Sequence, residues 1–65
     1  MKNPIWVIKY KRTETQEYLC HFDVGWADGS RMTKEKALES WEFEKVLKGL
    51  EDATIVEMYE QEKGQ

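Results

Sequence analysis

Tyr18, Cys20, Phe22, Val24 and Trp26 alternate with Leu19, His21, Asp23 and Gly25 along one short run. A period of two fits a strand that buries one face and leaves the other to solvent or to further chain. Such a strand is not stable alone, so the rest of the chain must supply its neighbours and a covering layer.

Both can be read nearby. Ile5-Trp6-Val7-Ile8-Lys9-Tyr10-Lys11-Arg12 is β-branched and aromatic, which predicts a first strand. The polar stretch Thr13-Glu14-Thr15-Gln16 is short enough to be a hairpin loop between the two. Asp28-Gly29 has the composition of a type I′ turn, after which Ser30-Arg31-Met32 is an optional third short strand. Thr33 is a suitable N-cap, Glu35 lies in the first turn where the helix dipole favours an acid, and Lys34 to Lys48 is rich in helix formers before Gly49. Thr54-Ile55-Val56-Glu57-Met58-Tyr59 predicts a final strand, followed by a charged tail from Glu60.

The order is β-β-(β)-α-β. It implies a small α+β domain with one mainly antiparallel sheet and a single helix packed on one face. At 65 residues the chain is one domain, 1–65, with an ordered core of about 4–60. A four-residue hairpin loop sets Arg12 opposite Glu17, Val7 opposite Phe22 and Ile5 opposite Val24. Ile5, Val7, Cys20, Phe22 and Val24 then form the core face, and Trp6, Ile8, Tyr10, Leu19 and His21 the reverse. A slip of one residue instead sends Trp6, Ile8 and Tyr10 inward and turns Ile5, Val7 and Leu19 out.

The helix carries its own ambiguity. At 100° per residue Phe43, Val46, Leu47 and Leu50 make one apolar stripe, whereas Ala37 and Trp41 point largely away from it. Trp41 therefore either caps the sheet edge or serves as an anchor for a partner, a role in which Trp and Tyr are enriched.

Charge is uneven. The formal net charge is −3; residues 1–32 carry five basic and four acidic side chains, and residues 33–65 carry five and nine. An acidic second half disfavours duplex nucleic acid, whose binders neutralise phosphates with Lys and Arg. The aromatic and basic stripe of Trp6, Lys9, Tyr10, Lys11 and Arg12 is the best case for single strands, although Lys on a strand also blunts an exposed edge. Glu39, Glu42, Glu44 and the later acids resemble a phosphate pattern only loosely, because Lys34, Lys36, Lys45 and Lys48 are interspersed. Glu44 and Lys48 have the spacing of a helical ion pair.

Catalytic chemistry is not evident. Cys20 and His21 are the only Cys and His, and as strand neighbours they point to opposite faces. His21 and Asp23 share a face, but a structural zinc site needs four ligands and no further ligand motif is present. There is no glycine-rich phosphate loop. The sequence thus predicts no enzyme, catalytic residue, metal or cofactor. A single Cys forms no intramolecular disulfide, and the apolar run Ile5–Ile8 falls far short of a signal peptide or membrane span. A cytoplasmic protein with no membrane association is expected.

The layout of hairpin, Thr-Lys-Glu-x-Ala helix start (Thr33–Ala37) and final strand is similar to that of small proteins of phages and other mobile elements. Small size, missing chemistry and surplus aromatic surface predict a protein-binding module that inhibits or modulates a larger host protein, such as a defence nuclease or polymerase. Trp6, Tyr10, Trp41, Glu39, Glu42 and Glu44 are the candidate contact residues. The alternatives are a small single-stranded nucleic-acid-binding protein and a homodimer in which the uncovered sheet face completes the core.

Overall fold

A computed structural model describes residues 3–13, 15 and 17–63, with the side chains of Asn3 and Lys63 excepted. Met1, Lys2, Gly64 and Gln65 lie outside it, as do Glu14 and Gln16 of the expected hairpin loop. The elements are β1 (Asn3–Lys11), β2 (Cys20–Val24), α1 (Lys34–Lys48) and β3 (Thr54–Lys63). They form a small α+β fold, one open antiparallel sheet of order β2-β1-β3 with a single helix. Since β2 and β3 both run antiparallel to the central β1, they run parallel to each other. Their connection must cross β1, and α1 makes that crossing.

The hairpin register differs by one residue from the four-residue-loop expectation. Ile8, not Val7, lies opposite Phe22; Trp6 lies opposite Val24 and Tyr10 opposite Cys20. Such a shift turns every β1 side chain over. Trp6, Ile8 and Tyr10 therefore join Cys20, Phe22 and Val24 on the helix side, while Ile5 and Val7 go to the reverse. The chain makes the turn over more residues, with β1 ending at Lys11 and β2 starting at Cys20. The reason lies in the core. This register gathers the larger apolar groups of both strands under the helix, where Ile8 is completely buried.

Val7 remains only 4% exposed on the reverse face. It lies there between Asp23 on β2 and Tyr59 on β3, with Ile5 and Lys9 two residues to either side. The Lys9 ammonium sits 5.7 Å from the centroid of the Tyr59 ring, so the Lys9 stem lies along this face while its charge meets an aromatic ring.

The helix presents Trp41 and Ala37 inward. Trp41 is 1% exposed and Ala37 is fully buried. Its ring lies 4.7 Å from that of Tyr10 on β1 and 5.9 Å from that of Phe22 on β2, both tilted at about 45°. Ala37, one turn earlier, lets the helix backbone approach the sheet. Trp41 as an exposed partner anchor is thus corrected: the ring is the centre of the core.

Both helix ends are fixed as the sequence predicts. The Thr33 hydroxyl accepts from the Lys36 amide, and Gly49 adopts the left-handed conformation (φ 65°). The Leu50 amide then donates to the Lys45 carbonyl at 2.8 Å, a helix-ending bond that folds Leu50 back into the core. Leu50 is accordingly the one member of the apolar stripe that is buried.

Residues 25–33 contain no strand. Gly25 passes so close to β1 that a Cβ there would lie 2.8 Å from Ile5 Cγ2. Trp26 accepts a turn bond from the Gly29 amide. Gly29 has positive φ but Asp28 does not, so Asp28-Gly29 is not the central pair of a type I′ turn. The Asp28 carboxylate instead accepts from both the amide and the hydroxyl of Ser30, a local bond that competes with strand pairing. Met32 is buried and its carbonyl accepts from the Trp6 indole N–H at 2.7 Å.

The charged tail also departs from expectation, because β3 continues through Glu60, Gln61 and Glu62 to pair with Asn3–Trp6. A bulge falls between Lys9 and Tyr10, where Val56 is the extra residue of β3.

Truncating Trp41 removes a core ring, and Phe or Trp to Ala in a core costs about 3–5 kcal/mol. That is comparable to what one core of this size supplies. Trp41→Ala should therefore be largely unfolded by far-ultraviolet circular dichroism, whereas Phe43→Ala should shift a urea midpoint by no more than about 0.5 kcal/mol equivalent. The reverse ranking would mean that the helix packs by its other face.

Candidate interaction surface

With Trp41 inward, the stripe on the opposite side of the helix points out. Phe43 is 66%, Val46 73% and Leu47 65% exposed. These three form an open groove with Trp26, from the turn after β2, and Phe22. Trp26 itself is 44% exposed. An apolar stripe on a helix usually faces the core, and isolated exposed apolar residues are ordinary. Here four large ones share one groove.

The predicted acids lie at this same place. Glu39, Glu42 and Glu44 all line the groove. Each is tied to a lysine along the helix: Glu39 to Lys36 at 3.2 Å, Glu42 to Lys45 at 3.3 Å and Glu44 to Lys48 at 3.0 Å. The helix rim is thus charge-balanced, and the acids border an apolar strip without forming a phosphate-like array. Lys45 also stands 5.9 Å from the Trp41 ring centroid.

Trp6 and Tyr10 take different positions from those expected of contact residues. Both are half-buried on the helix side of β1. Trp6 is held by the Met32 carbonyl, and Tyr10 packs on Trp41. Burial of the Tyr10 ring raises its phenol above the usual pKa. With Trp41 they form the wall between helix and sheet, away from the stripe at Phe43. Of the six sequence candidates, the structure therefore brings together Glu39, Glu42 and Glu44 at one surface, and on the helix side of the sheet it places Trp41 in the core with Trp6 and Tyr10 half-buried beside it.

The stripe proposed for single-stranded nucleic acid is divided. Lys9 and Lys11 alternate with Trp6 and Tyr10 on β1, so the basic and aromatic members point to opposite faces of the sheet. Arg12 turns to Asp52, 3.4 Å away. A charged groove with a stacking platform needs both kinds of side chain on one face, and this strand separates them.

Cys20 is half-buried on the helix side, and His21 is exposed on the reverse face with Asp23. Among the described residues, no three His, Cys, Asp or Glu side chains come together as a metal site would require. No helix among them is long and apolar enough to cross a membrane.

The residues that the sequence reading did not assign to this surface are Trp26, Phe43, Val46 and Leu47. The stripe itself is visible in the sequence. What decides its direction is the interior opposite it, where Trp41 meets Tyr10 and Phe22 while Ala37 provides room.

Away from this groove, beside β3, the Arg31 guanidinium makes two bonds, of 2.9 and 2.8 Å, to the Glu60 carboxylate. Bidentate pairing of this kind is strong and directional. It raises the Arg31 pKa and holds the Glu60 carboxyl below its ordinary value of 4.5. A lowered carboxyl adds stability above the ordinary value and loses it as pH falls through the lowered one. Glu60→Gln should therefore be less stable than the parent near neutral pH, with the difference disappearing in strong acid. Urea midpoints measured from pH 2 to 7 test this; a constant difference over the whole range would refute the ion-pair account.

No family model matches the chain, and no curated protein or solved structure matches it; a functional reading has to come from the surface itself.

Proposed function

We propose that this chain is a non-enzymatic protein-binding module whose contact surface is the outward helix face Phe43, Val46 and Leu47 together with Trp26. The supporting observation is that these four apolar side chains, 44–73% exposed, share one groove on a 65-residue chain. Exposed apolar area that is contiguous and rimmed by polar groups is the usual mark of a protein contact. Glu39 and Glu42 supply that rim. Two partners suit it: a larger host protein, of the kind that a phage or mobile-element product modulates, or a second copy of the same chain.

Binding and folding use different faces of the helix. Residues exposed to this extent contribute little to stability, so Val46→Glu and Leu47→Glu should leave the urea midpoint within about 0.5 kcal/mol of the parent. A carboxylate in the middle of the contact should weaken any complex by about 2 kcal/mol or more. The check is an immobilised chain, parent or variant, exposed to host lysate and to its own free copy, with bound protein identified by mass spectrometry. Identical capture by the parent and both folded variants would sink the assignment.

A further inference from the structure

We propose that the occupant of this surface is a second copy of the chain, joined edge to edge through β2 about a two-fold axis at Phe22. This rests on the reading of the groove as a contact surface and names its partner. The sheet order leaves the outer edges of β2 and β3 unpaired within the chain, and unpaired edges are templates for further strands.

The two edges differ in chemistry. β3 carries Glu57, Glu60 and Glu62, with Arg31 clasping Glu60, so this edge is lined by charged side chains and lacks a self-complementary apolar series. That is a common way of keeping an edge unpaired. β2 reads Cys20-His21-Phe22-Asp23-Val24, and it is self-complementary. In an antiparallel pair centred on Phe22, that ring meets Phe22 of the second copy and Cys20 meets Val24 of the second copy. His21 then meets Asp23 of the second copy, and the symmetry repeats the pair. The apolar pairs all lie on the helix side and the imidazole–carboxylate pairs on the reverse. Opposite-charge and hydrogen-bonding partners directly across an antiparallel pair are favourable, as are aromatic and β-branched pairs. Tyr18, 72% exposed, and Trp26, 44% exposed, lie two residues beyond the two ends of this strand.

The helix is placed to add to this contact. α1 lies over β1 and β2 and makes no close approach to β3, so its outward stripe borders the β2 edge, where it shares a groove with Phe22 and Trp26. A two-fold axis normal to the sheet keeps both helices on the same side and brings the two grooves at Phe22 and Trp26 together beside the joined edge. Two three-stranded sheets would become one of six, covered by two antiparallel helices. A stable interface takes about 800 Å² from each partner, which demands contiguous surface. Of the large apolar side chains exposed among the described residues, Trp26, Phe43, Val46 and Leu47 line the groove at this edge and Tyr18 and Leu19 directly precede β2, whereas Val56 lies at the β3 bulge. The contact is isologous, the form most homodimers take.

Sedimentation equilibrium of the full chain tests the proposal. The parent should run at twice its 7.8 kDa mass. His21→Glu faces Asp23 of the second copy with a like charge and should weaken self-association at least about tenfold, as should Leu47→Glu at the helix stripe. Both positions are exposed, so circular dichroism should be unchanged. His21→Glu combined with Asp23→Lys sets opposite charges across the pair and should restore the dimer. A parent that stays monomeric at millimolar concentration overturns the proposal, as does a dimer indifferent to His21→Glu. A monomeric parent that still captures a larger protein, lost on Leu47→Glu, would overturn only the second copy as occupant. A monomer with no Leu47-dependent capture would overturn the binding reading as well.

Discussion

The contact of Trp41 with Tyr10 and Phe22 sets the rest of this fold. It joins the helix to the central strand and to one edge strand at once, through rings 4.7 and 5.9 Å apart. In a chain with so small a core, one buried indole is a large share of the apolar area removed from water. Because the ring enters from one side of a helix, it also fixes which side remains outside. The exposed stripe at Phe43, Val46 and Leu47 follows from the position of Trp41.

The other constraints hold the segments that flank the helix. Trp6 bonds the Met32 carbonyl, Arg31 clasps Glu60, and the helix-ending turn folds Leu50 inward. Each joins a loop to a strand or to the core and leaves few unpartnered polar groups; among the described residues no buried side-chain nitrogen or oxygen lacks a partner. Together they carry the chain from β2 across β1 to β3, leaving the β2 edge and the groove beside it open.

Much of this was legible in the sequence. The alternating run predicted β2, Thr33 and Gly49 predicted both helix ends, and the order of elements predicted the α+β fold. The hairpin register was not, because a difference of one residue in the connection between β1 and β2 reverses every side chain of β1, and composition alone does not count those residues. The length of β3 was hidden for a related reason: Glu60, Gln61 and Glu62 look like a solvated tail until Asn3–Trp6 and Arg31 provide their partners. At the candidate surface, Glu39, Glu42 and Glu44 were found by charge. Phe43, Val46 and Leu47 were recognised as a stripe, but amphipathicity alone assigns a stripe to the core. Only the three-ring contact shows that the helix is turned the other way.

Both the core and the contact surface follow from the orientation of the helix. Nuclear Overhauser contacts of the Trp41 indole measure it directly. The account predicts strong cross-peaks from the Trp41 ring protons to those of Tyr10 and Phe22, with none from Phe43 or Leu47 to Ile8. Cross-peaks from Phe43 and Leu47 to Ile8, with the Trp41 ring in contact only with its own helix, would contradict it.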